Sequence, residues 1–153
     1  KFKGYYFSSD GRWEYTVSLI TWDLVDSGKH LDWSGKTKYS SYITTATKKW
    51  NAYKKGIIRK DTVSTMKDVT ISDYYDDKDT LWGETSKNGT IRFNIYNMDK
   101  DDDAGRLNTV MHEFGHALGL GHNERKDVMS KFSNVTELTE NDKKSYDAAY
   151  RKY

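Results

Sequence analysis

Apolar side chains recur at every third or fourth position in two stretches of the chain. This spacing places them on one face of a helix, so each stretch predicts an amphipathic α-helix. The first helix is predicted from Tyr42 to Ile57 and the second from about Ala104 to Leu118. Their apolar positions are Ile43, Ala46, Trp50, Tyr53 and Ile57 in the first, and Leu107, Val110, Met111, Phe114 and Leu118 in the second.

Four other stretches are rich in β-branched and aromatic residues, with partial or clean alternation of polar and apolar positions, and they predict strands. These stretches are residues 13–20, 68–72, 80–85 and 90–96. Asn88-Gly89 lies between the last two, and this dipeptide readily supplies the two positive φ angles of a tight hairpin turn. We therefore predict an antiparallel pair there.

Capping residues precede the second and the last helix. Asp99 to Asp103 form an acidic loop, whose carboxylates would accept hydrogen bonds from free N–H groups of the following helix. Leu138 to Asp142 has the pattern of an N-terminal cap and predicts a last helix that ends at about Tyr150. Strands interleaved with three helices predict a mixed α+β fold.

The composition limits the architecture and the classes of partner. The 153 residues, 35% of them hydrophobic, suffice for one sizeable core, and no proline-rich or glycine-rich linker divides them. We therefore predict a single domain over residues 1–153. A formal net charge of +2 without a dominant basic block does not favour nucleic acid. No apolar run is long enough to predict a membrane span, and the absence of cysteine leaves His, Asp and Glu as metal ligands.

A metal-binding pattern, HEFGH, occupies residues 112–116 of the predicted second helix. His112 and His116 are one helical turn apart, so both imidazoles lie on the same side and close to the face opposite the apolar positions. Glu113 is displaced by one residue, where its carboxylate could reach a metal-bound water without being a ligand.

A third histidine follows the helix. Gly119 allows the backbone to leave the helix in a left-handed conformation, which returns His122 towards the same ion. Three neutral imidazoles with an open fourth position are typical of catalytic zinc. Zinc lowers the pKa of its bound water, and Glu113 would accept that proton and pass it to the departing amine. The pattern predicts a zinc-dependent endopeptidase with ligands His112, His116 and His122 and with Glu113 as general base.

The segment 110–122, VMHEFGHALGLGH, resembles the active-site segment of matrixins, a family of the metzincin clan of zinc metallopeptidases. Val128-Met129 resembles the Met-turn that lies beneath the zinc in that clan, and Asp142 is placed to brace it. The resemblance extends over most of the chain, to the helix around 43–53, the strand at 68–72 and the hairpin at 80–96.

The resemblance implies a minimal, bacterial-type catalytic domain. Its fold would be a twisted, mostly parallel five-stranded sheet with one antiparallel edge strand, two helices packed on it and a C-terminal helix. An upper part would span about 1–118 and a lower part about 119–153. In matrixins the strand corresponding to Leu81, Trp82, Gly83 and Glu84 binds the extended substrate, which fits the logic of an exposed sheet edge. From this function we expect a secreted, monomeric protein.

The chain departs from animal matrixins in several places. Only His30 remains outside the motif, which is too few histidines for their structural zinc site. Asn123 follows the third histidine where serine is usual, and the segment 130–132, SKF, replaces a Pro-x-Tyr segment, which leaves the specificity pocket open. Lys131 also stands where some other metzincins carry a tyrosine ligand, so we expect none here.

Calcium and two other functions are the alternatives. The acidic loop offers the oxygen ligands that suit calcium, but Ala104 and Val110 stand where an EF-hand requires glycine and an acidic residue, so we predict a helix-capping loop instead. A zinc-binding, metzincin-fold module could bind protein without proteolysis, although retention of Glu113 argues against it. Hydrolysis of a non-peptide amide stays open.

Overall fold

The described part of the chain begins with two short strands, continues with a segment that contains both strands and helices, and ends with two helices. The computed structural model describes residues 5–7, 13–15, 17–62 and 66–153, with side chains from residue 17 onwards. In chain order the elements are β1 (Tyr5–Phe7), β2 (Trp13–Tyr15), β3 (Leu31–Gly35), α1 (Ser40–Tyr53), β4 (Ile58–Lys60), β5 (Val69–Tyr74), β6 (Gly83–Ser86), β7 (Thr90–Asn94), α2 (Ile95–Met98), α3 (Asp103–Ala117) and α4 (Glu140–Tyr150).

Five strands form the central sheet in the order β4-β3-β5-β7-β6. The pairs β3–β4, β3–β5 and β5–β7 are parallel, whereas β6 pairs antiparallel with β7 at the edge. α1 contacts α3 and β4, and α3 contacts β6, so both helices pack with the sheet. This arrangement confirms the predicted α+β fold with one antiparallel edge strand. β1 and β2 pair outside the central sheet.

The predicted hairpin is present as β6 and β7, but its turn differs from the prediction. Gly89 has a φ of 100°, and Asn88 is not among the described residues with positive φ. The Gly89 N–H donates to the Ser86 carbonyl over 3.0 Å, and Ser86 pairs with Thr90 across the hairpin. A three-residue loop closed by one left-handed glycine therefore replaces the predicted two-residue turn.

The strand predicted over 13–20 and the helix predicted over 42–57 both end earlier than expected. The strand predicted over 13–20 is strand only as β2; residue 16 lies outside the described residues, and Leu19 forms an isolated bridge with Leu120. α1 ends at Tyr53 because Lys54 has an extended backbone, with φ −128° and ψ 105°. Ile57 then lies beside the sheet, where its carbonyl accepts a hydrogen bond from the Leu31 N–H at 2.7 Å. Its burial comes from the sheet rather than from the helix.

Four elements were not predicted as such: β1, β3, β4 and α2. β3 and β4 are 5 and 3 residues long, too short for alternation to stand out, and their partners in the parallel sheet stabilise them. α2 begins at Ile95, although the strand was predicted to continue to Tyr96. The Asn94 side chain accepts a hydrogen bond from the Tyr96 N–H at 3.2 Å, which caps the helix and ends β7.

The hydrophobic core lies between the sheet and the helices α1 and α3. Val110, Met111, Phe114 and Leu118 are fully buried, which confirms the apolar face predicted for α3. The Trp50 indole N–H of α1 donates to the Met111 carbonyl over 3.0 Å and ties the two helices together. This packing leaves the opposite face of α3 directed at a surface cleft. No helix in the described part of the chain has both the length and the apolar character needed to cross a bilayer.

Candidate active site

Both ends of α3 are fixed by local hydrogen bonds. The Asp102 side chain accepts from the Gly105 N–H at 2.8 Å, so the acidic loop caps the helix as predicted. At the other end Gly119 has a φ of 99°. The Gly119 and Leu120 N–H groups donate to the carbonyls of His116 and Gly115, each over 2.9 Å, which is the Schellman pattern of helix termination. The chain therefore reverses immediately after the helix.

The reversal brings the three predicted ligand histidines together. The Nε2 atom of His122 lies 3.1 Å from Nε2 of His112 and 3.2 Å from Nε2 of His116. His112 is buried, His116 half-buried and His122 exposed, so the cluster opens to the surface on one side. Three imidazole nitrogens converge on one point with a free approach from solvent.

Backbone carbonyls determine which ring nitrogens can bind a metal. His112 Nδ1 donates to the Val128 carbonyl and His116 Nδ1 donates to the Leu120 carbonyl, each over 2.9 Å. Because a carbonyl only accepts, Nδ1 carries the proton and Nε2 presents a lone pair. A donor set of three neutral imidazoles, two of them held by carbonyls in this way, therefore fits a zinc ion.

Burial keeps these rings neutral in the metal-free protein. It lowers the pKa of His112 to about 3, with the neighbouring His116 as a second cause. Burial likewise lowers the pKa of His116 to about 4. The pKa of His122 is also lowered, first by burial and then by the charge of Lys131. The rings are thus in the metal-binding form at neutral pH.

Glu113 lies beside the histidines with its carboxylate bound by a threonine. Only 7% of Glu113 is exposed. The Thr85 hydroxyl lies 2.6 Å from Glu113 Oε1 and 3.0 Å from the Glu113 carbonyl oxygen. Burial raises the pKa of Glu113 to about 7, although the Thr85 hydrogen bond lowers it, and the charge of Glu84 raises it further. A carboxyl group with this pKa can both accept and donate a proton near pH 7.

Thr85 is the functional candidate that the sequence analysis missed. Side chains two apart on a strand point to the same face, so Gly83 and Thr85 of β6 face α3, while Glu84 pairs with Arg92 at 2.7 Å. A Cβ on residue 83 would lie 3.1 Å from Glu113 Cγ, so glycine there lets the strand approach the helix. No local pattern in the sequence shows that these two positions face α3, so Thr85 could not be identified from it.

Met129, the methionine of the predicted Met-turn, packs against α3. It is 1% exposed, and a side chain on Gly115 would overlap its Sδ atom. The N–H groups of Val128 and Met129 donate to the Asp142 carboxylate over 2.9 and 3.2 Å. Asp142 also completes a capping box with Thr139 at the start of α4, so one buried carboxylate links the turn to the last helix.

An open cleft of about 740 Å³ exposes the three histidines and Glu113. The predicted substrate-binding residues Leu81, Trp82, Gly83 and Glu84 all line it. Only the last two belong to β6, because the strand begins at residue 83 rather than 80. The segment 131–133 also lines the cleft, which reaches residues near the start of α3 that were not predicted, namely Asp101, Gly105 and Asn108.

A second group of acidic side chains lies at the far side of the sheet. Carboxylate oxygens of Asp26, Asp32 and Asp68 lie within 4.8 Å of one another. Arg59 already supplies a cation there, because its guanidinium contacts both carboxylate oxygens of Asp32 at 2.7 and 3.0 Å. In the acidic loop, Asp99 accepts hydrogen bonds from Lys38 and Tyr39.

The three histidines have the largest effect on how the stability of the metal-free protein depends on pH. This holds between their pKa values in the folded protein and the pKa of histidine in the unfolded chain. Histidine in the unfolded chain titrates near 6.5. Below that pH the unfolded chain therefore binds protons that the buried rings do not, and the free energy of unfolding decreases as the pH is lowered. Glu113 has the opposite effect on stability as the pH is lowered, because its pKa in the folded protein is about 7 and its ordinary value is 4.5. The combined effect of the three histidines on the free energy of unfolding is larger than the opposing effect of the single carboxyl group.

We therefore expect the free energy of unfolding to fall by about 2 kcal/mol between pH 6.5 and pH 5. Urea unfolding with a chelator present measures it. The Glu113→Gln protein, which lacks the opposing proton, should show a steeper fall, and a free energy that stays constant over this range would contradict the assignment.

Known proteins resemble this chain in sequence and in fold. No curated protein matches the chain. A solved structure titled "GM1 bound form of the ECX AB5 holotoxin" is similar in fold, with a TM-score of 0.54, 16% sequence identity and 80% of each chain covered. At that identity the similarity concerns the fold alone. A sequence model of the matrixins, by contrast, matches residues 12–151. Because this match spans nearly the whole chain, the protein belongs to the matrixin family of zinc metallopeptidases.

Proposed function

We propose that the protein is a zinc-dependent endopeptidase that hydrolyses extended peptides. The observation that carries the proposal is that Nε2 of His122 lies 3.1 and 3.2 Å from Nε2 of His112 and His116, with the buried Glu113 in the lining of the same open cleft. His112, His116 and His122 would hold the zinc ion. When bound, the ion supplies a Lewis acid that polarises the substrate carbonyl and makes water more acidic.

Glu113 moves the proton in the proposed reaction. Its carboxylate accepts a proton from the water whose oxygen bonds to the carbonyl carbon of the scissile peptide. The same carboxyl then donates that proton to the amide nitrogen as the C–N bond breaks, which yields a carboxylate and an amine. A pKa near 7 suits both halves of this transfer at neutral pH.

The edge strand β6 provides the surface for the peptide. Among the described strands, β7 is its single neighbour, so its outer edge has backbone groups free to pair with an added strand. Leu81 and Trp82, which are 46% and 40% exposed, stand beside this edge and offer apolar contact area. An extended peptide on this edge would cross the cleft above Glu113.

The two alternatives fit these features less well. A binding module without proteolysis has no use for a buried carboxylate held by Thr85, since burying an unneeded ionisable group costs stability. A hydrolase of small non-peptide amides has no use for a free strand edge. Peptide hydrolysis uses both.

Cleavage of a mixed pool of quenched peptides by the zinc-loaded protein tests the proposal, with mass spectrometry to identify the bonds broken. We expect internal peptide bonds to be cleaved and cleavage to stop when a chelator is added. Folded, zinc-bound protein that cleaves no member of the pool would favour the binding module.

Thr85 acts as a positioning residue in this proposal, because its hydroxyl holds the Glu113 carboxylate. We expect Thr85→Val to lower kcat about tenfold, the scale of one hydrogen bond to a charged group, and to leave KM and zinc content unchanged. Thr85→Ser retains the hydroxyl and should restore most of the rate. Steady-state kinetics of both variants decide the point: equal rates for the valine and serine proteins would exclude this role.

A further inference from the structure

The cleft continues from the metal site along α3 towards the start of the helix. Residue 105 is seven positions before His112, or 20° short of two full turns, so both residues lie on the same face of the helix. Gly105 also lines the cleft. The cleft therefore extends along this face for about 10 Å, the rise of seven helical residues.

The carboxylate of Asp101 occupies the space that a side chain on residue 105 would take. A Cβ built on Gly105 would overlap both carboxylate oxygens of Asp101. One of these oxygens accepts a hydrogen bond from the Asp102 N–H at 2.8 Å, which fixes the side chain at this end of the cleft. Asp101 itself lines the cleft, so its charge is presented to a bound substrate.

Of the three acidic residues that line the cleft, Asp101 is the one that neither forms an ion pair with a described side chain nor has the buried position of Glu113. Glu84 is paired with Arg92 at 2.7 Å, and Glu113 is buried beside Thr85. None of the ion pairs between described side chains involves Asp101. The cation that lines the cleft, Lys131, lies near His122 at the metal end. The two ends of the cleft thus carry opposite charges.

We propose that Asp101 selects substrates with a lysine or arginine at the position whose side chain extends from the metal site along α3. This inference rests on the proposed peptidase function and names its substrate class. A long side chain is required because the Asp101 carboxylate lies beside Gly105, about two helical turns from His112. The alkyl stem of lysine or arginine can cover the intervening cleft wall while the charged end reaches the carboxylate.

The test uses matched quenched peptides that carry Lys, Gln or Glu at one position at a time on either side of a mapped cleavage site. We expect the zinc-loaded protein to prefer Lys over Glu at one of these positions. Asp101→Asn should reduce that preference about fivefold, the scale of a partly exposed charge pair, and Asp101→Lys should reverse it. Asp103→Asn is the matched control, because it removes one carboxylate at the same helix end from a residue outside the cleft lining, and it should retain the preference.

The outcomes separate this inference from the peptidase function itself. Cleavage without a preference for Lys, or with a preference that Asp101→Lys does not change, would overturn the role of Asp101 and leave the peptidase intact. If no peptide is cleaved, fluorescence anisotropy of the same labelled peptides on zinc-loaded protein gives the result. Tighter binding of the Lys peptide that is lost in Asp101→Asn supports the inference, and equal binding of the Lys and Glu peptides overturns it.

Discussion

Replacing Glu113 by glutamine is expected to lower kcat about a thousandfold, the middle of the range for a positioned general base. Glutamine has nearly the shape of glutamate and can still contact the Thr85 hydroxyl, which lies 2.6 Å from Oε1. It cannot accept a proton from the attacking water or return one to the amine. Steady-state kinetics on a cleaved peptide, together with metal analysis, measure the effect.

Zinc content should stay at one ion per chain in this variant, because Glu113 is not a proposed ligand. Glu124→Gln is the matched control: it makes the same chemical change at an exposed position close in sequence to His122 and should retain the rate. A Glu113→Gln protein that cleaves at the rate of the unaltered chain would refute the assignment of the base.

Removal of zinc is expected to abolish cleavage and to lower stability at the same time. A ligand that binds only the folded state adds about 4 kcal/mol to the free energy of unfolding when its free concentration is a thousand times Kd. The three Nε2 atoms are brought together only by the fold, so the zinc contribution should be lost on unfolding. Urea unfolding with zinc and with a chelator measures this difference.

His116→Ala should remove the zinc-dependent gain in stability together with the activity. His116 supplies one of the three converging nitrogens, and its substitution leaves two. His30→Ala is the matched control because His30 is the histidine outside the motif, and it should bind one zinc with unchanged affinity by calorimetry. A His116→Ala protein that binds zinc as tightly as the unaltered chain would disprove the ligand set.

The two variants together distinguish a peptidase from a binding module. In a module that uses zinc only to hold its shape, His116→Ala would weaken binding of the partner and Glu113→Gln would have little effect. In a peptidase both variants lose catalysis, and only His116→Ala loses the metal. Measuring cleavage, zinc content and peptide binding on the same two proteins therefore separates the functions.

The convergence of the three histidines was predictable because they are close in sequence. His112 and His116 are related by one helical turn, and Gly119 ends the helix with a local hydrogen-bond pattern that returns His122. Such arrangements depend on backbone geometry over a few residues, which periodicity and a single glycine specify. The apolar face of α3 and the capping box of α4 are local in the same sense.

The remaining features depend on contacts between distant parts of the chain. β3 and β4 are too short to show a pattern of their own and exist because parallel neighbours pair with them. Thr85 reaches Glu113 only because β6 and α3 pack together across the absent side chain of Gly83.

The sequence by itself thus determined the α+β class, the three converging histidines and the adjacent carboxylate. The tertiary structure decided which threonine holds that carboxylate and how far the cleft extends towards Asp101, because these distances are set by packing between elements that no local pattern records.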